Sequence, residues 1–350
     1  MAAVTFAVPG GLDQPTGGYT YDRRVIAGLR ERGCEVDVID LGGGFPRPTS
    51  DTVRAVLPRL QRVPTGRSIV VDGLALGVLP EVAVTLRSSH RVIALVHHPL
   101  ALESGLTSGE AAALRESERA ALAAVTRVVV TSPATRRILA SDYGVSADMI
   151  AVALPGTEYA TGAAAVREPA GETINLLAVG AVVPRKGYDI LIEALGCLTD
   201  LDWQLVIAGD CKRDRATAGE LATALVRKRF GPRACLAGTV SSEELTALYR
   251  AADVFVLPSR FEGYGMAYAD AIAHGLPVIG TRTGAVPETV PDGAGILVPP
   301  DDVAALAAAL RSMIADEALR ARCSAVARSV RMPTWEATTQ TFLDVLTAAA

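Results

Sequence analysis

The sequence predicts an α/β chain of two doubly wound domains, and three observations predict it. Short β-branched runs alternate with longer Ala-, Leu- and Arg-rich amphipathic stretches along the chain. That is the pattern of parallel strands joined by helical crossovers that cover both faces of a sheet. The alternation pauses at Thr161–Glu172, a stretch of Gly, Ala, Pro and charge, and then restarts. The length of 350 residues, half of them apolar, suits two domains of roughly 100–200 residues, each with its own core.

In the first half, Val4–Val8, Glu35–Ile39, Ser68–Val71, Val92–Val96 and Val128–Thr131 read as strands. A helix over about Thr20–Arg32, closed by Gly33, follows the first. In the second half, Ile174–Val179, Trp203–Ala208, Ala234–Ala237, Val254–Leu257, Pro277–Thr281 and Gly295–Val298 read as strands. Helices are expected near Tyr188–Leu198, Ala216–Phe230, Ser242–Ala251, Met266–His274 and Val303–Asp316. The expected domains are 1–165 and 172–332. A last helix over Thr334–Ala350 would then cross back onto the first domain. In such folds ligands bind outside the carboxyl ends of the strands, and with two domains the cleft between them is the expected site.

Composition excludes several classes. The net charge of −4, from 34 basic and 38 acidic side chains, argues against a nucleic-acid coat or a strongly cationic membrane surface. Five scattered cysteines without a C-x-x-C pair support neither a disulfide framework nor a zinc site. A reducing cytoplasm is the expected compartment. The N-terminus has an apolar run of only about seven residues and reads as a strand rather than a signal peptide. No stretch approaches the ~20 apolar residues of a membrane span, so any contact with lipid would be peripheral. Neither G-x-G-x-x-G after an early strand nor G-x-x-x-x-G-K-[ST] is present, which argues against a dinucleotide oxidoreductase and a P-loop enzyme.

The segment Pro258-Ser259-Arg260-Phe261-Glu262-Gly263-Tyr264-Gly265-Met266, continuing to Asp270, carries the most chemistry. It follows a strand directly, and its glycines let the backbone turn close to a ligand. The helix opening near Met266 would aim its first N–H groups at an anion. Glu262 can accept from sugar hydroxyls and Asp270 from a ribose hydroxyl. Two adjacent cations, Arg185 and Lys186, lie in the loop Gly180–Gly187 that follows another strand. His97 and His98 end the strand Val92–Val96, and without metal-type spacing they predict no metal site.

These segments resemble the retaining glycosyltransferases of the GT-B fold, family 4 (group 1 type), over nearly the whole chain. The string from Glu262 to Asp270 is similar to their E-x7-E motif, with Asp where the family usually has a second Glu. Gly17-Gly18-Tyr19 resembles their N-terminal glycine loop. Gly180 to Gly187 resembles the loop whose cations clamp the donor pyrophosphate, although Ala181 stands where many relatives have Arg. Gly275-Leu276-Pro277 through Gly284-Ala285-Val286-Pro287-Glu288 to Gly295 resembles their closing half-domain. His97 matches a histidine that the family places near the donor sugar.

The resemblance implies two doubly wound, Rossmann-like domains facing a central cleft. It implies transfer of a hexosyl group from a nucleoside diphosphate sugar, UDP first among the bases, with retention and no metal or other cofactor. His97, Glu262, Arg185 and Lys186 are the catalytic candidates. Gly17, Gly18, Gly180, Gly209, Thr239, Val240, Gly263, Tyr264, Gly265, Met266 and Asp270 are the donor-binding candidates, with His98 and Tyr19 as further possibilities. The expected partners are the nucleotide sugar and a small-molecule, lipid-headgroup or glycan acceptor. The rival readings are a phosphorylase or epimerase of the same fold, and a nucleotide-sugar binder without catalysis, which Ala181 and Asp270 keep in play.

Overall fold

The structure, a computed structural model, describes residues 2–157 and 173–348. The Gly- and Pro-rich stretch Thr161–Glu172, read above as the domain boundary, lies outside the described residues. The chain divides into two compact units, one of Met1–Gly156 with Pro333–Ala350, the other of Thr157–Met332.

The first unit holds six parallel strands: β1 (Ala3–Val8), β2 (Glu35–Asp40), β3 (Ser68–Asp72), β4 (Val92–Val96), β5 (Arg127–Val130) and β6 (Ile150–Val152). Their order across the sheet is β2-β1-β3-β4-β5-β6. The crossovers are α1 (Gly17–Glu31), α2 (Ser50–Leu60), α3 (Gly73–Leu76), α4 (Pro80–Leu86), α5 (Ser108–Leu122) and α6 (Pro133–Asp142). Every residue of β3 and β4 is buried, as expected of central strands covered on both faces. Successive side chains feed opposite faces. Ile69, Val71, Val92, Ala94 and Val96 enter one core. Val70, Ile93 and Leu95 enter another, with Tyr21, Val25 and Leu29 of α1.

The second unit repeats the scheme with β7 (Ile174–Val179), β8 (Trp203–Ala208), β9 (Ala234–Gly238), β10 (Val254–Val256), β11 (Val278–Thr281) and β12 (Gly295–Val298). Its helices are α7 (Tyr188–Gly196), α8 (Arg215–Arg227), α9 (Ser242–Ala251), α10 (Met266–Ala273), α11 (Val286–Thr289), α12 (Val303–Ala315) and α13 (Glu317–Ser329). The parallel order β12-β11-β10-β7-β8-β9 reverses between β7 and β10. The loops leaving those two strands therefore stand at the topological switch point, where doubly wound sheets bind ligands.

A final helix, α14 (Trp335–Thr347), belongs to the first unit. Phe342, Val345 and Leu346 join the core under α1. Gly28 of α1 leaves room for it, since a Cβ there would come 2.3 Å from the Thr339 hydroxyl. Arg91 donates to the carbonyls of Val345 and Leu346 at 2.7 and 2.8 Å, satisfying acceptors that a helix C-terminus leaves open.

Three readings of the sequence change. The first helix starts at Gly17, so Gly17, Gly18 and Tyr19 form its first turn rather than a loop before it. The short strand β6 and the helices α2 to α6, α11 and α13 were not read from the sequence. The last helix ends at Thr347. Among the described residues, no helix is long and apolar enough to cross a membrane.

Candidate active site

In the second unit, two loops meet backbone to backbone at the switch point. Gly187 caps α7 with φ 68°, and a Cβ on it would lie 2.1 Å from the carbonyl oxygen of Pro258. Only glycine combines that left-handed conformation with that approach. The Arg260 amide donates to the carbonyl of Arg185 at 2.7 Å. The Arg260 guanidinium holds Asp189 and Asp301, each at 2.7 Å. Gly284, with φ 51°, closes on the carbonyl of Glu262, which also accepts from the Ala285 amide at 2.9 Å.

This frame buries the Glu262 carboxylate, leaving it 6% exposed, against two cations. Lys186 Nζ and the Ser259 hydroxyl both donate to Oε1 at 2.6 Å, and Arg185 donates to Oε2 at 3.3 Å. Burial alone would raise the Glu262 pKa, but Lys186 and Arg185 outweigh it and hold the carboxyl at about 2. Glu262, Arg185 and Lys186 are therefore brought together. The donor-side candidates of this unit follow the carboxyl ends of its strands. The Gly180 amide donates to Ala208 and the Gly209 amide to Gly238, tying the ends of β7, β8 and β9, and Thr239 and Val240 follow β9 directly. Gly263 and Tyr264 lead to Gly265, whose φ of 92° starts α10 at Met266 with no side chain capping it.

Asp270 lies one turn into α10, part-buried and facing Tyr249. Burial raises its carboxyl to about 7. Its carboxylate has no hydrogen-bond or ion-pair partner among the described residues.

In the first unit, His97 leaves β4 between two carboxylates. Its Nε2 lies 3.4 Å from Asp22 Oδ1 and 3.6 Å from Asp72 Oδ2. Asp22 comes from α1 and is fully buried; Asp72 ends β3 and caps α3 through the Leu74 amide at 2.7 Å. Burial disfavours the imidazolium, yet the two carboxylates raise the His97 pKa well above its usual range. Gly18 packs on the ring, a Cβ there falling 3.4 Å from its Cδ2, and Tyr21 meets it edge-on at 5.3 Å. Gly17 stands beside them at the start of α1. His98 turns instead to Glu103, at 3.3 Å. The Tyr19 hydroxyl donates to the carbonyl of Pro9.

Asp22, Asp72 and His97 also bring three potential ligand atoms within 4.8 Å of one another, a set able to hold a cation. No spacing in the sequence announces it, because three separate elements supply the three atoms. Asp22 and Asp72 went unread for the same reason. Each still left a trace: Asp72 stands at the carboxyl end of an apolar run, and Asp22 shares the helical face of Val25, Ile26 and Leu29.

Residues 173–316 match the family described as glycosyl transferases group 1. The match lies within the second unit. Among curated relatives, a D-inositol 3-phosphate glycosyltransferase of Xylanimonas cellulosilytica is 32% identical over 222 residues, 59% of this chain and 53% of that protein. An MMP alpha-(1->4)-mannosyltransferase of Mycolicibacterium hassiacum is 28% identical over 297 residues, 77% of this chain and 67% of that one. The chain spans about half the length of the first of these. The two sheets match solved GT-B structures. Sucrose-phosphate synthase from Thermosynechococcus elongatus superposes with a TM-score of 0.82 at 22% identity, over 99% of this chain and 98% of that one. Anabaena HepE in complex with UDP and glucose gives 0.72 at 18% identity, over 99% of each chain.

Proposed function

We propose that this chain is a glycosyltransferase of group 1 and moves a hexosyl group from a nucleoside diphosphate sugar, UDP-linked in the first instance, to an acceptor hydroxyl. We propose further that it retains the anomeric configuration and works without a divalent metal. The observation that carries the reading is the buried Glu262 between Lys186 and Arg185 at the switch point. Two cations against one carboxylate leave positive charge where a diphosphate would gain it during departure. Preorganised donors of this kind act where transition-state charge develops, and losing one typically costs 10²–10³-fold in rate.

In the reaction proposed, the bond from the anomeric carbon to the diphosphate oxygen breaks as the acceptor oxygen bonds to that carbon from the same face. The acceptor proton passes to the departing diphosphate. Arg185 and Lys186 stabilise that leaving group, Glu262 accepts from sugar hydroxyls, and Asp270 accepts from the ribose. The uncapped start of α10 offers backbone N–H groups to a phosphate. Metal independence rests on the two cations supplying the charge a metal ion would otherwise bring. UDP is the first base to try because HepE, of the same fold, was solved with UDP and glucose. Inositol phosphates belong in the acceptor panel because several relatives carry that name. The five cysteines are all free, which supports placing the enzyme in a reducing cytoplasm.

The test is thermal denaturation with UDP, GDP, ADP and NAD, each with and without EDTA, followed by transfer from the matching sugar nucleotide. A ligand at 100 times its Kd adds ~2.7 kcal/mol of stability. A rise with one nucleoside diphosphate that survives EDTA, then an α-linked product from an α-linked donor, is the expected result. A rise with NAD alone would refute the reading. An inverted product or loss of turnover in EDTA would refute retention or metal independence.

A further inference from the structure

The loop that carries Glu262 from β10 to α10 is neither helix nor strand over 257–265, so its backbone carbonyls need donors from elsewhere. Three threonines that follow one another along the chain supply them. Thr281, the last residue of β11, donates to the carbonyl of Ser259. Thr283 donates to that of Arg260 at 2.9 Å, and Thr289 of α11 to that of Tyr264 at 2.5 Å. Thr281, Thr289 and Ser259 are all buried.

Ser259 is the link between this brace and the carboxylate. Its carbonyl is held by Thr281, and its hydroxyl donates to Glu262 Oε1 at 2.6 Å. Lys186 donates to the same oxygen at 2.6 Å, so the two donors occupy both lone pairs of Oε1. Oε2, with Arg185 at 3.3 Å, is then the oxygen with capacity for a ligand hydroxyl. Lysine is a point charge on a flexible stem and fixes no plane. The short, fully buried Ser259 side chain, anchored through its own backbone, does.

We propose that Ser259 is a positioning residue that sets the plane of the Glu262 carboxylate, and that Thr281 acts through it by holding the Ser259 backbone. The consequence for transfer rests on the function proposed above, in which Glu262 accepts from the sugar; the brace itself does not.

The experiment compares Thr281→Val, Thr281→Ser and Ser259→Ala in the full chain. Val keeps the shape of Thr and lacks the hydroxyl, whereas Ser keeps the hydroxyl and lacks a methyl group. A brace needs the hydroxyl and plain packing needs the methyl, so the two roles rank these variants in opposite order. Hydrogen–deuterium exchange over 257–264, which needs no ligand, should be roughly tenfold faster in Thr281→Val and close to unaltered in Thr281→Ser. A crystal structure of Ser259→Ala should show the Glu262 carboxylate turned from its place. With UDP-glucose as donor, kcat/KM should fall about tenfold in Thr281→Val and in Ser259→Ala, short of the 10²-fold that a 1 Å misplacement can cost. Thr281→Ser should restore it. The double variant should be little worse than either single one, because both remove the same link. The Tm rise given by UDP, which has no sugar for Glu262 to hold, should persist in every variant. Exchange that is unchanged in Thr281→Val, or faster in Thr281→Ser than in Thr281→Val, would overturn the brace. A Glu262 carboxylate that keeps its place in Ser259→Ala would overturn the role of Ser259, as would loss of the UDP effect together with turnover. If no nucleotide sugar is turned over by the unaltered protein, the transfer reading fails, while exchange and the crystal structure still decide the positioning.

Discussion

Replacing Asp270 by Asn is expected to stabilise the protein at pH 8 while weakening its hold on a nucleoside diphosphate. The carboxyl is raised from an ordinary 3.8 to about 7 by burial alone. A carboxyl whose pKa is raised in the fold favours folding at low pH, below its unfolded value. That advantage is lost as pH rises through about 4 to 7. At pH 8 the ionised group costs the fold at most about 4 kcal/mol, taking ~1.36 kcal/mol for each tenfold change in proton affinity. Because Asp270 is only part-buried, about 2 kcal/mol is the working figure, and an amide avoids it. For a unit of this size ~1 kcal/mol moves Tm by roughly 2–4 °C, so Asn should raise it by about 4–8 °C.

Scanning calorimetry at pH 8 and pH 4 measures both sides of that argument. The gain should vanish at pH 4, where the unaltered carboxyl is protonated. Under the proposed function, the Tm rise given by UDP should shrink in the variant, since a charge-assisted hydrogen bond contributes about 1.5–3 kcal/mol. A lower Tm at pH 8, or a gain of equal size at both pH values, would show that burial does not set the ionisation of Asp270. A gain at pH 8 with unchanged UDP binding would keep the electrostatics and remove Asp270 from the donor site.

Three further outcomes follow from contacts in the two units. Lys186→Met should cost 10²–10³-fold in transfer rate. The same change should make acid denaturation begin at higher pH. Glu262, held at about 2, contributes stability that is present above about 4.5 and lost as pH falls towards 2, and losing one cation raises that lower limit; denaturation followed from pH 6 to 2 checks it. Gly187→Ala places a Cβ on the Pro258 carbonyl in a left-handed conformation. It should cost more than the ~1–2 kcal/mol of that conformation alone, and urea unfolding of the variant measures it. Phe342→Ala empties a fully buried site in the core of the first unit and should cost about 3–5 kcal/mol, seen as an early unfolding step.

The central strands were within reach of the sequence because parallel strands covered on both faces are largely apolar. Val92–Val96 and Trp203–Ala208 are strands over the residues read. Helices were legible where apolar spacing was strong, as in Ser242–Ala251, and less so where polar residues dominate. α5 is an example: only three of its residues are buried, although the Thr107–Glu110 capping box that starts it stands in the sequence. The convergence of Arg185, Lys186 and Glu262 was partly legible, since both loops follow strands. That Arg260 laces those loops together was not, because its partners Asp189 and Asp301 lie 71 and 41 residues away. The Asp22–His97–Asp72 cluster needed the fold, since a strand order of β1-β3-β4 is what sets the three side chains side by side.

The two clusters carry opposite formal charge, and this bears on what each would receive. Arg185 and Lys186 against Glu262 leave one positive charge, suited to a diphosphate. Asp22 and Asp72 bring two carboxylates to one imidazole, which favours a neutral hydroxyl over an anionic group. Asp22→Asn should therefore shift acceptor preference towards the phosphorylated member of any polyol and polyol-phosphate pair. A unit charge at about 8 Å and an effective dielectric of ~40 is worth about 1 kcal/mol, on the order of fivefold in relative kcat/KM. The shift should be seen at pH 8, where the Asp22 carboxyl, raised by burial to about 6, is ionised in the unaltered protein. It should fade at pH 5, because Asp22 is then protonated in the unaltered protein and Asn removes no charge. A preference ratio that does not change at pH 8 would show that this trio takes no part in choosing the acceptor.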